Sequence, residues 1–322
     1  MKTYIYKLKF ATPVHFGNNS LTNSTPTCLA DTLFSAICIK WIEIFGNADE
    51  LIENVKNDKC LFSDTFPYIN NQLYLPKPVT LIESKFKGND TIDKKKMKRV
   101  KYIPIEKIED YIGFLNDDKN IDFSFDMEYC KEELIKKASI LRTAQILEDG
   151  DSKNTEIYNI SVYRFLDNCG LYFILRCEES LKQKIDIAID SLSLSGLGGK
   201  RSLGYGKFEF ESLETNKFDT QLNDTSEYYM SLTTFLPKLE EIKSFDKDKS
   251  AYNLIERGGF IESLEYANSG DRASKKKKPV IMFTSGSCFD IKFKGQILNV
   301  SNDENKHPVY KYGKPLFWGV RI

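Results

Sequence analysis

Five glycines fall within the eleven residues from Gly196 to Gly206, in the run Ser195-Gly196-Leu197-Gly198-Gly199-Lys200-Arg201-Ser202-Leu203-Gly204-Tyr205-Gly206, which holds two cations and no acid. A segment with so few side chains neither sustains a helix nor fills a core, so the fold must use it as a connection. Its flanks are legible. Leu181, Ile185, Ala188, Ile189 and Leu192 mark one face of a helix over about 180–193, and Phe208 and Phe210 alternate with Glu209 and Glu211 in a strand over 207–212. This order excludes a dinucleotide-binding turn, which runs strand to helix and needs glycine where Arg201 stands. It also excludes a P-loop: Gly199 and Gly204 have the spacing, but Tyr205 takes the lysine position and no helix follows. What remains is a glycine-rich loop between the last helix and last strand of a sheet unit. Its backbone N–H groups, with Lys200, Arg201 and Ser202, suit phosphate oxygens, and Tyr205 suits a base.

Upstream, Tyr4, Tyr6 and Leu8 alternate through a strand over 3–10, and a loop carries His15 and Gly17. Leu29, Leu33, Ile37, Trp41 and Phe45 then define a helix face, with Thr25 as the expected cap, Pro26 at its first position and Gly46 at its end. Prolines and charge runs make 51–137 read as an insertion, helical around 128–137. Strands are expected at 138–147, 157–166 and 169–177, the first two joined at Asp149-Gly150-Asp151. Without the insertion the order is strand, helix, strand, strand, helix, strand, the ferredoxin-like (RRM-like) unit. A polar stretch over 216–227 reads as a linker to a second, strand-rich half. The reading is therefore α+β: two ferredoxin-like domains, 1–215 with the insertion and the glycine-rich loop, and a degenerate one over 228–322.

With 46 basic and 46 acidic residues in 322, a globally basic polyanion binder is excluded. The charges are nevertheless segregated. Lys94, Lys95, Lys96, Lys98, Arg99 and Lys101 form one basic run and Lys275–Lys278 another, while Glu106–Glu133 holds ten acids against three bases. Such segregation allows a polyanion on one surface and a protein partner on another, while an isolated lysine run also reads as a solvated loop. No apolar run reaches the ~18 residues of a membrane helix, and the N-terminus alternates, unlike a signal peptide. Seven cysteines without a C-x-x-C pair point to reduced thiols and a cytoplasmic protein.

Several of these stretches resemble a known family. Leu8–Gly17, Ala30–Ala36 and the Gly196–Gly206 loop are similar to the corresponding parts of the RAMP superfamily of CRISPR-associated proteins. Arg257-Gly258-Gly259-Phe260 and His307–Gly313 narrow the likeness to the fourth subunits of type III-A Csm effector complexes. The resemblance implies a scaffold that holds the 5′ handle of the CRISPR RNA. It also implies docking to the large polymerase/cyclase-like subunit and to a backbone RAMP subunit. The RNA-binding residues expected are His15, Gly17, Arg142, Gly196, Gly198, Gly199, Lys200, Arg201, Ser202, Gly204, Tyr205, Gly206, Arg257, Gly258, Gly259, Lys275 and Lys276. Arg142 is included because the resemblance places a hairpin near the end of the handle.

No catalytic residue, metal or cofactor is expected. The rival reading is a metal-independent endoribonuclease using His15, since some relatives of the superfamily cleave precursor RNA with a histidine. His15 has no evident acid–base partner. His307, before a proline, reads as structural. The acids Asp117, Asp118, Asp122 and Asp126 lack the glycine and spacing of an EF-hand.

Overall fold

The expected first strand forms as β1 (Lys2–Phe10). Its period of two sends Tyr4, Tyr6 and Leu8 into one core and Ile5 into another, on the opposite face. The computed structural model describes residues 1–79, 98–115, 123–125, 127–140, 155–262, 276–301 and 307–320. The described elements after β1 are β2 (Phe16–Ser20), β3 (Asn23–Thr25), α1 (Ala30–Phe45), α2 (Asp49–Lys56), β4 (Cys60–Phe62), β5 (Phe66–Ile69), β6 (Gln72–Pro76), β7 (Tyr102–Pro104) and α3 (Ile108–Leu115). They continue through β8 (Cys130–Ile140), β9 (Thr155–Phe165), β10 (Cys169–Cys177), α4 (Glu179–Ser195), β11 (Phe208–Glu214) and α5 (Asp219–Asn223). The second half holds β12 (Tyr228–Ser231), β13 (Leu254–Arg257), β14 (Val280–Phe283), β15 (Cys288–Phe289), β16 (Leu298–Asn299), β17 (Tyr310–Lys311) and β18 (Phe317–Val320).

Among the described residues the main sheet is antiparallel, in the order β11-β1-β10-β5-β6-β7, with β4 also paired to β10. Strand β10, Cys-Gly-Leu-Tyr-Phe-Ile-Leu-Arg-Cys, is buried almost throughout, because both sheet faces are covered. Helices α1 and α4 cover one face through Leu33, Ile37, Trp41, Ile185 and Ile189. The other face packs against Ile108, Tyr111 and Ile112 of α3 and against Met230, Leu232 and Trp318 of the second half. That half centres on the sheet β15-β12-β18 and a cluster of Phe235, Phe245, Phe283, Phe289, Phe293 and Phe317.

Several expectations are corrected. Residues 51–69 are not insertion: Leu51, Val55, Cys60 and Phe62 lie in the helix-side core, and β4 and β5, not β9, flank β10. The stretch over 128–137 is strand, not helix, from Cys130 onward. Its helix-forming lysines and glutamates are overridden by an unbroken pairing of β8 with β9, and Ile135 packs against Ile160, Val162 and Tyr205. Helix α1 starts at Ala30, four residues after Pro26, because its first amide is capped from afar by Asp64, whose Oδ1 accepts from Ala30 N–H at 2.7 Å. Thr25 instead donates to the carbonyl of Thr27 at 3.0 Å. The supposed linker over 216–227 contains α5, whose Leu222, with Phe218 just before the helix, buries against the second half.

Candidate nucleic-acid interface

His15 is 4% exposed and organises the glycine-rich loop. Its Nδ1 lies 2.7 Å from the carbonyl of Ser161, an oxygen that only accepts, so Nδ1 carries the proton. Its own carbonyl accepts from Gly199 N–H at 2.8 Å. The imidazole is sandwiched between two glycines: a Cβ on Gly17 would stand 2.8 Å from Nε2, and one on Gly199 2.8 Å from Cδ2. Strand β9 fixes the arrangement from behind, since Val14 and Tyr163 exchange both backbone hydrogen bonds.

The loop closes on itself as well. Leu197 N–H donates to Gly206 O at 2.9 Å and Gly206 N–H to Pro13 O at 2.8 Å. Gly196 (φ +91°) and Gly206 (φ +77°) are left-handed, and a Cβ on either would run into backbone. These glycines are therefore required by packing. Among the described residues no protein acceptor takes the amides of Gly198, Lys200, Arg201 or Ser202. They border an open groove that Lys40, Glu43, Ser195 and Glu262 complete.

The groove is less basic than its sequence suggests. Lys40 pairs with Glu43 at 2.7 Å and Arg201 with Glu262, so the guanidinium expected for RNA already holds a carboxylate. Lys200, itself in the left-handed conformation, lies over the Tyr158 ring at 5.3 Å and has no carboxylate partner among the described residues. Tyr205, expected to face a base, is instead 8% exposed and packed with Ile160 and Val162, a correction.

Arg257 is a second correction. Its guanidinium grips Asp31 at the start of α1, with Nη2 2.9 Å from Oδ1 and Nε 3.1 Å from Oδ2, and it also donates to Thr32 Oγ1. Lys311 Nζ reaches the same carboxylate at 3.0 Å. Burial alone would raise the Asp31 carboxyl, but the two cations hold it well below the carboxylate range. Lys277 sits beside this cluster, and burial followed by repulsion from Lys311 lowers its ammonium. Gly258 and Gly259 follow Arg257 with open space around them: no heavy atom lies within 4 Å of a Cβ on Gly259 (φ +113°). Lys276 is exposed and lies 5.9 Å from the Phe260 ring. Arg142, Lys275, Asp149-Gly150, Lys94–Lys96 and the acids Asp117, Asp118, Asp122 and Asp126 lie outside the described residues.

Loops of the two halves thus meet at α1. Sequence reasoning missed Asp31, Asp64, Lys311 and Glu262. Their partners lie 226, 34 or 170, 280 and 61 residues away, and no local periodicity signals such pairs. Among the described residues no cluster of His, Cys, Asp and Glu is fit to hold a metal ion, and no helix is long and apolar enough to cross a membrane.

Residues 7–209 match the RAMP superfamily and residues 224–320 match the CRISPR Csm4 C-terminal domain. The CRISPR system Cms protein Csm4 of Mycobacterium tuberculosis (strain ATCC 25618 / H37Rv) is 29% identical over 303 residues, covering 94% of this chain and 93% of that protein. The protein of the same name from Streptococcus thermophilus is 27% identical over 332 residues, covering 98% and 99%. A chain in the crystal structure of the Csm3–Csm4 subcomplex of the type III-A CRISPR-Cas interference complex shares the fold, with a TM-score of 0.64, 20% identity and full coverage of both chains. A chain of the Csm1–Csm4 cassette in complex with cA4 gives a TM-score of 0.63 at 20% identity, covering 100% of this chain and 99% of that one.

Proposed function

The chain belongs to the RAMP superfamily and, within it, to the Csm4 proteins of type III CRISPR Csm complexes, and from that premise we propose that it is a non-catalytic subunit that holds the 5′ handle of a CRISPR RNA. In this reading it acts in antiviral defence in the cytoplasm, docking a Csm3-type backbone RAMP subunit and a Csm1-type large polymerase/cyclase-like subunit. Relatives crystallised with Csm3 and with Csm1 support the partners. The strand order β11-β1-β10-β4, with α1 and α4 as crossovers, supports a ferredoxin-like unit for the first domain. The second domain, over 228–322, is read as a degenerate copy.

One observation carries the RNA assignment. The glycine-rich loop is pinned to the His15 loop by its own packing, yet leaves the amides of Gly198 and Lys200–Ser202, with the Lys200 ammonium, along an open groove. A preorganised row of donors beside one unneutralised cation fits a phosphodiester backbone. In filter binding with repeat-derived RNA, Lys200→Ala is expected to weaken affinity and to flatten the plot of log Kobs against log salt by about 0.7. Arg201→Ala should do less, because Glu262 already holds its guanidinium. Equal affinity and slope for Lys200→Ala and the parent protein overturn the assignment.

The endoribonuclease alternative needs His15 at a ribose hydroxyl. Burial, the Ser161 hydrogen bond and the covering glycines argue against that role and favour the scaffold reading. The purified protein is expected to leave repeat RNA uncut, with or without divalent metal. Specific cleavage that disappears in His15→Ala would establish the nuclease instead.

A further inference from the structure

Tyr205 is buried and the Tyr158 ring lies under the Lys200 ammonium, so the RNA site as described offers phosphate contacts but no open aromatic face for a base. We infer that Phe260 is that face: a stacking platform for one nucleobase of the single-stranded RNA, an inference that rests on the RNA-binding reading and extends it.

The segment 257–262 spans from the ion cluster under α1 to the glycine-rich groove. At one end Arg257 is locked onto Asp31; at the other Glu262 is locked onto Arg201. Between them Gly259 O accepts from Lys277 N–H at 2.8 Å, and Phe260 forms an isolated antiparallel bridge with Lys276. The backbone is therefore held on both sides. Phe260 is nevertheless 58% exposed, while Phe235, Phe245, Phe283, Phe289, Phe293 and Phe317 bury against one another. A ring so placed in water forgoes the burial that normally stabilises a phenylalanine, and a stacked base would restore it.

Its surroundings fit a nucleotide better than a protein side chain. Lys276 approaches the ring at 5.9 Å, which places one cation beside it. Gly258 and Gly259, unlike the loop glycines, meet almost nothing where a Cβ would stand, so a ligand backbone has room there. An exposed aromatic ring, an adjacent cation and bare backbone form the combination that single-stranded nucleic acids use, with stacking indifferent to base identity.

The test compares two labelled probes of about twelve nucleotides, oligo(A) RNA and an abasic ribose-phosphate chain of equal length. The parent protein should prefer oligo(A). Phe260→Leu should lose about tenfold in affinity for oligo(A) while binding the abasic chain unchanged. Phe260→Trp should retain binding, and its indole emission should be quenched by oligo(A) alone; the native Trp41 and Trp318 are buried and serve as the silent background. If Phe260→Leu binds both probes like the parent, the platform is wrong while the phosphate site stands. A parent protein that binds neither probe overturns the RNA reading and the platform with it. If Phe260→Leu keeps RNA but no longer co-purifies with its Csm3- or Csm1-type partner, Phe260 is a protein contact and the inference fails.

Discussion

At the residue scale, Asp31 shows how a single carboxylate joins the halves of the chain. It is 3% exposed and shared by Arg257 and Lys311, so its removal leaves two cations without their buried counter-ion. Asp31→Asn should cost about 3 kcal/mol in urea unfolding, the range for breaking rather than replacing a buried pair. The same group sets a pH dependence. Because the folded state holds the Asp31 carboxyl below its ordinary value, the unfolded chain binds more protons as pH falls through the carboxylate range. Its contribution is therefore complete above the unfolded carboxylate value and is lost progressively in acid. The parent protein should lose stability on acidification more steeply than Asp31→Asn; parallel curves would show that Asp31 is not the coupled group.

At the element scale, the His15 loop and the glycine-rich loop form one structure in which each explains the other. Gly17 and Gly199 are small because the imidazole lies between them, not because their backbone is left-handed. Gly17→Ala or Gly199→Ala should each destabilise the protein by about 1–3 kcal/mol through overpacking. In a His15→Ala background the obstacle is gone, and most of that penalty should vanish. A double-mutant cycle measures this, and a coupling near zero would place the strain elsewhere. Loss of RNA binding in a Gly199 variant therefore needs a stability measurement beside it, since the substitution disturbs the loop's own packing as well as any ligand's approach.

At the scale of the whole molecule, the second half completes the first. Tyr312 lies fully buried between Phe34 and Phe62, and its hydroxyl accepts from Phe62 N–H at 2.8 Å. Trp318 and Met230 cover the sheet face that carries Ile5 and Ile174. The two halves should consequently unfold together. Trp41 reports on the helix side and Trp318 on the other, so Trp41→Phe and Trp318→Phe variants, followed by the remaining tryptophan, should give one common urea midpoint. Two separate midpoints would show independent domains.

Local pattern was enough for much of this architecture. The alternation in β1, the fourfold spacing in α1 and α4, the apolar run of β10 and the strand after the glycines each encode burial on a nearby face, and the structure places elements there. The glycine-rich loop was legible as a loop for the same reason, since its residues cannot do otherwise. What the tertiary structure decided are the matters that depend on distant partners. Helix α1 begins where Asp64 caps it, β8 is a strand because β9 pairs with it, and β4 and β5 belong to the sheet because they pair with β10. At the site, sequence identified residue types suited to RNA but not whether they were already engaged. Arg201 and Arg257 are taken by carboxylates and Tyr205 by a small core, while Phe260 remains open. A side chain's chemistry is written in the sequence; its availability depends on which charges and surfaces the fold brings against it, across separations that local spacing does not encode.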